Sequence, residues 1–114
     1  MIDDELSGLL ARADLGDTDA RDEAVQLAAE RRDDGVLMRL AERGSRDAVD
    51  QLIELATERG DEATLMRLAQ QGHTDAAGVL IELASERGDL ETLRNLARRG
   101  STDAAEVLQE ISSE

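Results

Sequence analysis

No cysteine, lysine or aromatic residue occurs anywhere in this chain, and each absence excludes a chemistry. Without cysteine there are no disulfides, thiolate metal sites or cysteine nucleophiles, and the redox compartment stays open. Without Phe, Tyr or Trp the core has to be assembled from Leu, Ala, Ile and Val. Such a core is thin, because a buried Leu contributes about 1.5–3 kcal/mol and an Ala much less. Without lysine the chain has no side-chain amine to modify. Long apolar runs are missing as well. Ile2 is followed directly by Asp3, Asp4 and Glu5, a start that suits neither a signal peptide nor a membrane span, and the expected location is cytoplasmic.

What is present is acid. The 114 residues carry 27 Asp and Glu against 13 Arg, for a formal net charge of −14. Charge of this sign repels nucleic acid and anionic lipid and favours basic partners. The length is that of one domain with one modest core.

The second positive feature is repetition. Starting at Thr18, Arg46, Thr74 and Thr102, the chain aligns with itself every 28 residues without a gap. Asp19, Asp47, Asp75 and Asp103 coincide, as do Ala20, Ala48, Ala76 and Ala104. Leu37, Leu65 and Leu93 coincide, and so do Gly16, Gly44, Gly72 and Gly100. The expected organisation is a single repeat domain over residues 1–114: a half repeat at 1–17, full repeats at 18–45, 46–73 and 74–101, and a closing half repeat or cap at 102–114.

Each unit reads as two helices. In the first, Ala76, Ala77, Leu80, Ile81, Leu83 and Ala84 share one broad arc, with Asp75, Glu82 and Glu86 opposite. Gly60 and Gly88 fall where a left-handed C-terminal residue belongs, and Asp33, Asp61 and Asp89 follow as N-caps of the second helix. Arg32 takes the glycine place in the first copy, so that turn should be strained or built differently. The second helix buries Leu65, Leu68 and Ala69 and stops at Gly72, with Asp17, Ser45 and Ser101 as cap-type residues before the next first helix. Eight helices are predicted, near 4–14, 18–30, 34–43, 46–58, 62–71, 74–86, 90–99 and 102–112, and no strand. Helices shorter than about 12–15 residues rarely persist alone in water, so they must stack. The predicted fold class is all-α, a right- or left-handed α-solenoid of antiparallel helix pairs.

The string A-x-x-G-x-x-x-A-x-x-x-L occurs as Ala41, Gly44, Ala48, Leu52, as Ala69, Gly72, Ala76, Leu80, and as Ala97, Gly100, Ala104, Leu108. It resembles the helix-turn-helix signature of the Sel-one-like and tetratricopeptide repeat families, with a short HEAT-like unit as the alternative. The period here is shorter than in the first two, their aromatic positions are empty, and the tetratricopeptide unit's closing proline is missing. The resemblance implies a scaffold that binds other proteins and has no catalysis of its own.

The residues offer little else for chemistry. His73, the sole histidine, occupies the place of Ser45 and Ser101 and is expected to be an exposed helix-entry residue; only Asp75 stands beside it as a further metal donor, too few for a site. A calcium loop begun at Asp17 puts Asp19 at its third place but Arg21 at the fifth, Asp22 where glycine is required and Ala28 where the bidentate Glu belongs, and fails. Carboxylate pairs such as Asp33 and Asp34 abound, yet a glycosidase also needs something to hold a sugar. With one His, no Lys and no G-x-S-x-G, the expectation is no enzyme, no cofactor and no metal.

Two patterns remain. Arg31, Arg59 and Arg87 recur in the last turn of each first helix, an inter-repeat ladder expected to reach an Asp such as Asp61 or Asp89. Acidic residues on the first helices also point outward, while outward positions on the second helices carry Arg39, Arg43, Arg67, Arg98 and Arg99. Met38 and Met66 sit at the margin of the buried arc. The expected function is a protein-interaction scaffold or adaptor that binds a basic protein or peptide along Asp47, Asp50, Glu54, Glu58, Asp75, Glu82 and Glu86. The alternatives are self-association into a homo-oligomer, or an engineered scaffold without a natural ligand. The irregular differences between copies and the absence of Lys favour a natural origin.

Overall fold

A computed structural model describes residues 4–113. Within that span the chain is all-α, with eight helices and no strand: α1 (Asp4–Asp14), α2 (Thr18–Glu30), α3 (Asp34–Glu42), α4 (Arg46–Arg59), α5 (Glu62–Gln70), α6 (Thr74–Arg87), α7 (Leu90–Arg98) and α8 (Thr102–Ser113). Each end lies within one residue of the predicted one. None of the helices is long and apolar enough to cross a membrane.

The turns explain this agreement. Every connection closes its helix with a left-handed residue, and in all but the one before α6 the successor's side chain caps the next helix. Gly60 and Gly88 take φ of 63° and 66°, and Gly16, Gly44, Gly72 and Gly100 take φ between 95° and 103°. The next residue donates its N–H five positions back, as in Asp33 to Ala28 O (2.9 Å), Asp61 to Ala56 O (2.8 Å) and Ser45 to Leu40 O (3.0 Å). This closure satisfies carbonyls that the helix end would leave unpaired. The same residue then turns its side chain forward. Asp17 Oδ1 accepts from Ala20 N–H at 3.1 Å, Asp33 from Val36 at 3.1 Å, and Ser45 Oγ from Ala48 at 3.2 Å. One residue thereby ends one helix and starts another, and turns this short make neighbouring helices antiparallel.

Arg32 is the single non-glycine residue at positive φ among those described, at 55°. Its turn closes by the same hydrogen bonds as its glycine counterparts, so the expected anomaly is strain and not a different path. A Cβ in this region costs roughly 1–2 kcal/mol.

His73 precedes α6 with N-cap backbone angles but makes no side-chain capping bond. It is half-buried, not exposed as expected.

Contacts divide the chain into two compact units, Met1–Leu55 and Ala56–Glu114. In the first, α1 packs on α2 and α2 on α3, around Leu6, Leu9 and Leu10 of α1, Ala20, Ala24 and Ala28 of α2 and Leu37 and Leu40 of α3. In the second, α5 packs on α6, α6 on α7 and α7 on α8, and α6 also meets α8. Leu65, Leu68, Leu80 and Leu93 are fully buried there, while Ala76, Ala84 and Ala104 lie at 0% exposure. The alanines act through smallness, letting backbones approach where a larger side chain would hold them apart. Ala69, Ala77 and Leu83, read from periodicity as core, are only half-buried, as are Met38 and Met66.

Candidate functional site

The first unit holds a groove of about 430 Å³ between α2 and α4, lined by Asp22, Val25, Gln26, Asp47, Asp50, Gln51 and Glu54. Helical spacing brings these residues together. Asp47, Asp50 and Glu54 stand at i, i+3 and i+7 on α4, and Asp22, Val25 and Gln26 at i, i+3 and i+4 on α2, so each set shares one face. Val25 is 3% exposed and forms the floor, whereas all four carboxylates are exposed. The lining contains no basic residue. Four like charges over an apolar floor raise the local negative potential and concentrate cationic groups there.

A second recess of about 230 Å³ runs between α1 and α2, lined by Glu5, Leu9, Glu23, Gln26, Leu27 and Glu30. Gln26 borders both. The two recesses thus flank α2 with carboxylates on either side and an amide between them.

Two basic side chains of this unit, both on or just after α3, are engaged elsewhere. Arg39 Nη2 of α3 lies 3.2 Å from Asp14 Oδ2, and Arg43 pairs with the other oxygen of the same carboxylate. Two arginines therefore clamp the last residue of α1. Exposed pairs of this kind contribute about 0–1 kcal/mol, but they hold these cations away from the groove carboxylates.

Of the residues expected to form the binding surface, the structure brings Asp47, Asp50 and Glu54 into one groove. Glu58, at the end of α4, and Asp75, Glu82 and Glu86, on α6, are exposed residues of the second unit. Sequence reasoning missed Asp22 as a site residue. The signal was available, since Asp22 is the repeat counterpart of Asp50, 28 residues earlier.

The second unit carries a smaller recess, about 120 Å³, lined by Met66, Ala69, Gln70, Ala77, Leu96, Arg99 and Ser101. In this unit two caps are doubled. Asp61 accepts from Thr64 N–H at 3.1 Å and Thr64 Oγ1–H at 2.7 Å, and Asp89 accepts from Thr92 N–H at 3.2 Å and Thr92 Oγ1–H at 2.9 Å. The Thr64 hydroxyl, followed by its backbone N–H, holds the Asp61 carboxyl below its usual range. Asp89 is lowered by Thr92, through backbone and then side chain.

The expected arginine ladder reaches its Asp residues, since Arg59 acts on Asp61 and Arg87 on Asp89 and each helps lower that carboxyl, and it extends further. Arg87 Nη1 lies 3.8 Å from Glu62 Oε2, and the guanidinium covers the open side of Gly60, where any Cβ would strike it. Arg87 thus meets Glu62 in addition to the Asp89 suggested by the sequence, along the side that Gly60 leaves open.

Among the described residues no group of three or more His, Asp or Glu side chains could hold a metal ion. Comparison with protein-family models, curated proteins and solved structures finds no match to this chain.

Proposed function

We propose that this chain is a non-catalytic interaction module, an α-solenoid of the Sel-one-like or tetratricopeptide kind, that takes a basic segment of a partner protein into the α2–α4 groove. The observation that carries this reading is the composition of the groove: four exposed carboxylates, two amides and one buried Val, with no cation in the lining. Arg or Lys side chains entering it would meet carboxylates from both walls, while their methylene stems would lie on Val25. Gln26 and Gln51 supply neutral donors and acceptors to a partner backbone. The α6–α8 contact, between first helices of successive repeats, supports the stacked arrangement.

Binding to a fluorescent peptide of alternating Arg and Ala, read by anisotropy, tests the proposal. A variant carrying Asp22→Asn, Asp47→Asn, Asp50→Asn and Glu54→Gln should lose at least about tenfold in affinity, because close charge pairs contribute about 1.5 kcal/mol or more each. A Glu82→Gln, Glu86→Gln control should change it by less than about twofold. Affinity should also fall steeply with salt. Equal binding by wild type and the groove variant would remove the assignment.

A further inference from the structure

The recess in the second unit differs from the two that flank α2 in carrying no carboxylate. Its walls are Met66, Ala69, Ala77 and Leu96, and its single charged residue is Arg99. In a chain of net charge −14, this hollow attracts an anion where the other two attract cations. Arg99 and Ser101 lie two residues apart on the turn between α7 and α8, and both line it. The Arg99 Nε–H donates to Asn95 Oδ1 at 2.9 Å, which holds the side chain back along α7. Its Nη groups meet no carboxylate among the described residues, whereas Arg43, at the same register in the first unit, pairs with Asp14. Ser101 Oγ accepts the capping N–H of Ala104 at 3.1 Å, which leaves its O–H to donate. Donors from one short turn thus border an apolar hollow, the composition of a small amphiphile's site.

Size and register narrow the ligand. An apolar cavity of roughly 150 Å³ holds a benzene ring, so a recess of about 120 Å³ has room for one aliphatic side chain. One repeat earlier, the places of Gln70, Ala77 and Arg99 belong to Glu42, Val49 and Gln71. Ala77 is smaller than its counterpart and leaves space open, and the exchange of one Glu for one Arg among these places reverses their charge. We propose that this recess binds the C-terminal residue of a partner peptide ending in Leu, Ile or Val, with the side chain on Ala69, Ala77 and Leu96 and the α-carboxylate on Arg99 and Ser101. A guanidinium at the mouth of a hollow for one side chain reaches an anion attached close to that side chain. The main-chain carboxylate sits one bond from the Cα that bears it, whereas in an extended peptide the neighbouring side chains leave on the opposite face. Both Nη groups can then engage the two carboxylate oxygens. The site shares no residue with the α2–α4 groove.

Titration of the full chain with acetyl-Gly-Gly-Leu, followed by proton–nitrogen NMR, tests the site. Saturable shifts should appear at the amides of Ala69, Ala77, Leu96 and Ser101. The same peptide with a C-terminal amide should bind at least about tenfold more weakly, because it loses hydrogen bonds to a charged group. Acetyl-Gly-Gly-Gly, which lacks the side chain, should lose about as much. Arg99→Gln and Ala77→Val install residues the repeat itself uses at these places, so circular dichroism should be unchanged while each weakens binding at least about tenfold. The groove variant should bind the tripeptide as wild type does, which separates failure of one site from failure of the other. Absence of saturable shifts, equal binding of acid and amide, or undiminished binding by either variant would overturn the site. Tighter binding of isocaproate, which has the side chain and carboxylate without a main-chain amide, would give the recess to a free acid and overturn the peptide reading. Shifts at the same amides on raising the protein concentration alone would overturn it in favour of a second copy.

Discussion

The two units share a repeat frame and differ in what they show to solvent. Leu37 in the first and Leu65 and Leu93 in the second are all 0% exposed, and Ala48, Ala76 and Ala104 likewise. The α2–α4 groove of the first unit is nonetheless lined by four carboxylates, while the recess of the second is lined by Met66, Ala69, Ala77 and Leu96 with Arg99 at its edge. The difference arises at positions the frame leaves free. Asp50 becomes Gly78 one repeat later, and Arg21 and Val49 become Ala77. Packing constrains inward positions to a narrow range of volume, whereas an outward substitution costs little. One architecture can therefore carry an acidic groove in one copy and an apolar recess in the next.

The largest expected effect tests whether the frame is shared. Leu37→Ala and Leu65→Ala should each destabilise the fold by about 3 kcal/mol, as removal of a buried leucine does. Urea denaturation followed by circular dichroism measures both, and a clear inequality would show that equivalent places are not equivalent in packing.

The caps sharpen the comparison. Asp33 accepts its capping bond from Val36 N–H, where Asp61 accepts two, from the N–H and the hydroxyl of Thr64. Loss of a capping side chain costs about 1 kcal/mol, and up to about 2 kcal/mol. Asp61→Ala should fall toward the upper figure and Asp33→Ala toward the lower. The lowered Asp61 carboxyl also sets a sign with pH. Its contribution is present above 3.8 and is lost as pH falls through the still lower folded value. Acid titration of Asp61→Ala should show a shallower loss than wild type over that range.

Smaller effects are expected where one copy departs from the turn device. Arg32→Gly relieves the left-handed strain at φ 55° at the expense of a freer unfolded chain, for a net gain of about 0.5–1 kcal/mol. His73→Ser restores the capping oxygen present at Ser45 and Ser101, with a gain of about 0.5–1 kcal/mol. Paired thermal melts resolve both, and a loss at either position would mean that its side chain holds the fold in a way its repeat counterparts do not.

The helices were legible because their signals are local. Apolar spacing, a cap residue and a left-handed glycine act within a few positions of one another, and the 28-residue register reads each signal several times over. Arg32 at a glycine place foretold strain for the same reason. The groove was partly legible: Asp47, Asp50 and Glu54 share a helix face by spacing, and Asp22 was recoverable from register with Asp50. That α2 and α4 face each other across a recess was not, since periodicity says which side of a helix is wet but not which neighbour shares the water.

The side-chain pairings were least legible. Asp14 meets Arg39 and Arg43 across two helices, and Arg87 meets Glu62 as well as acting on the Asp89 that the ladder pattern suggested. Long side chains choose among several partners within reach, and the choice depends on clearances such as the one over Gly60.

The sequence by itself determined the helices, their caps, the acid balance and the repetition, because each follows from residues adjacent in the chain or at a fixed spacing. Only the tertiary structure decided that four carboxylates surround one groove, that two arginines of the first unit are held by Asp14, and that Arg87 reaches Glu62 over Gly60. Those outcomes depend on distances of a few ångströms between residues far apart in the chain, and packing alone sets such distances.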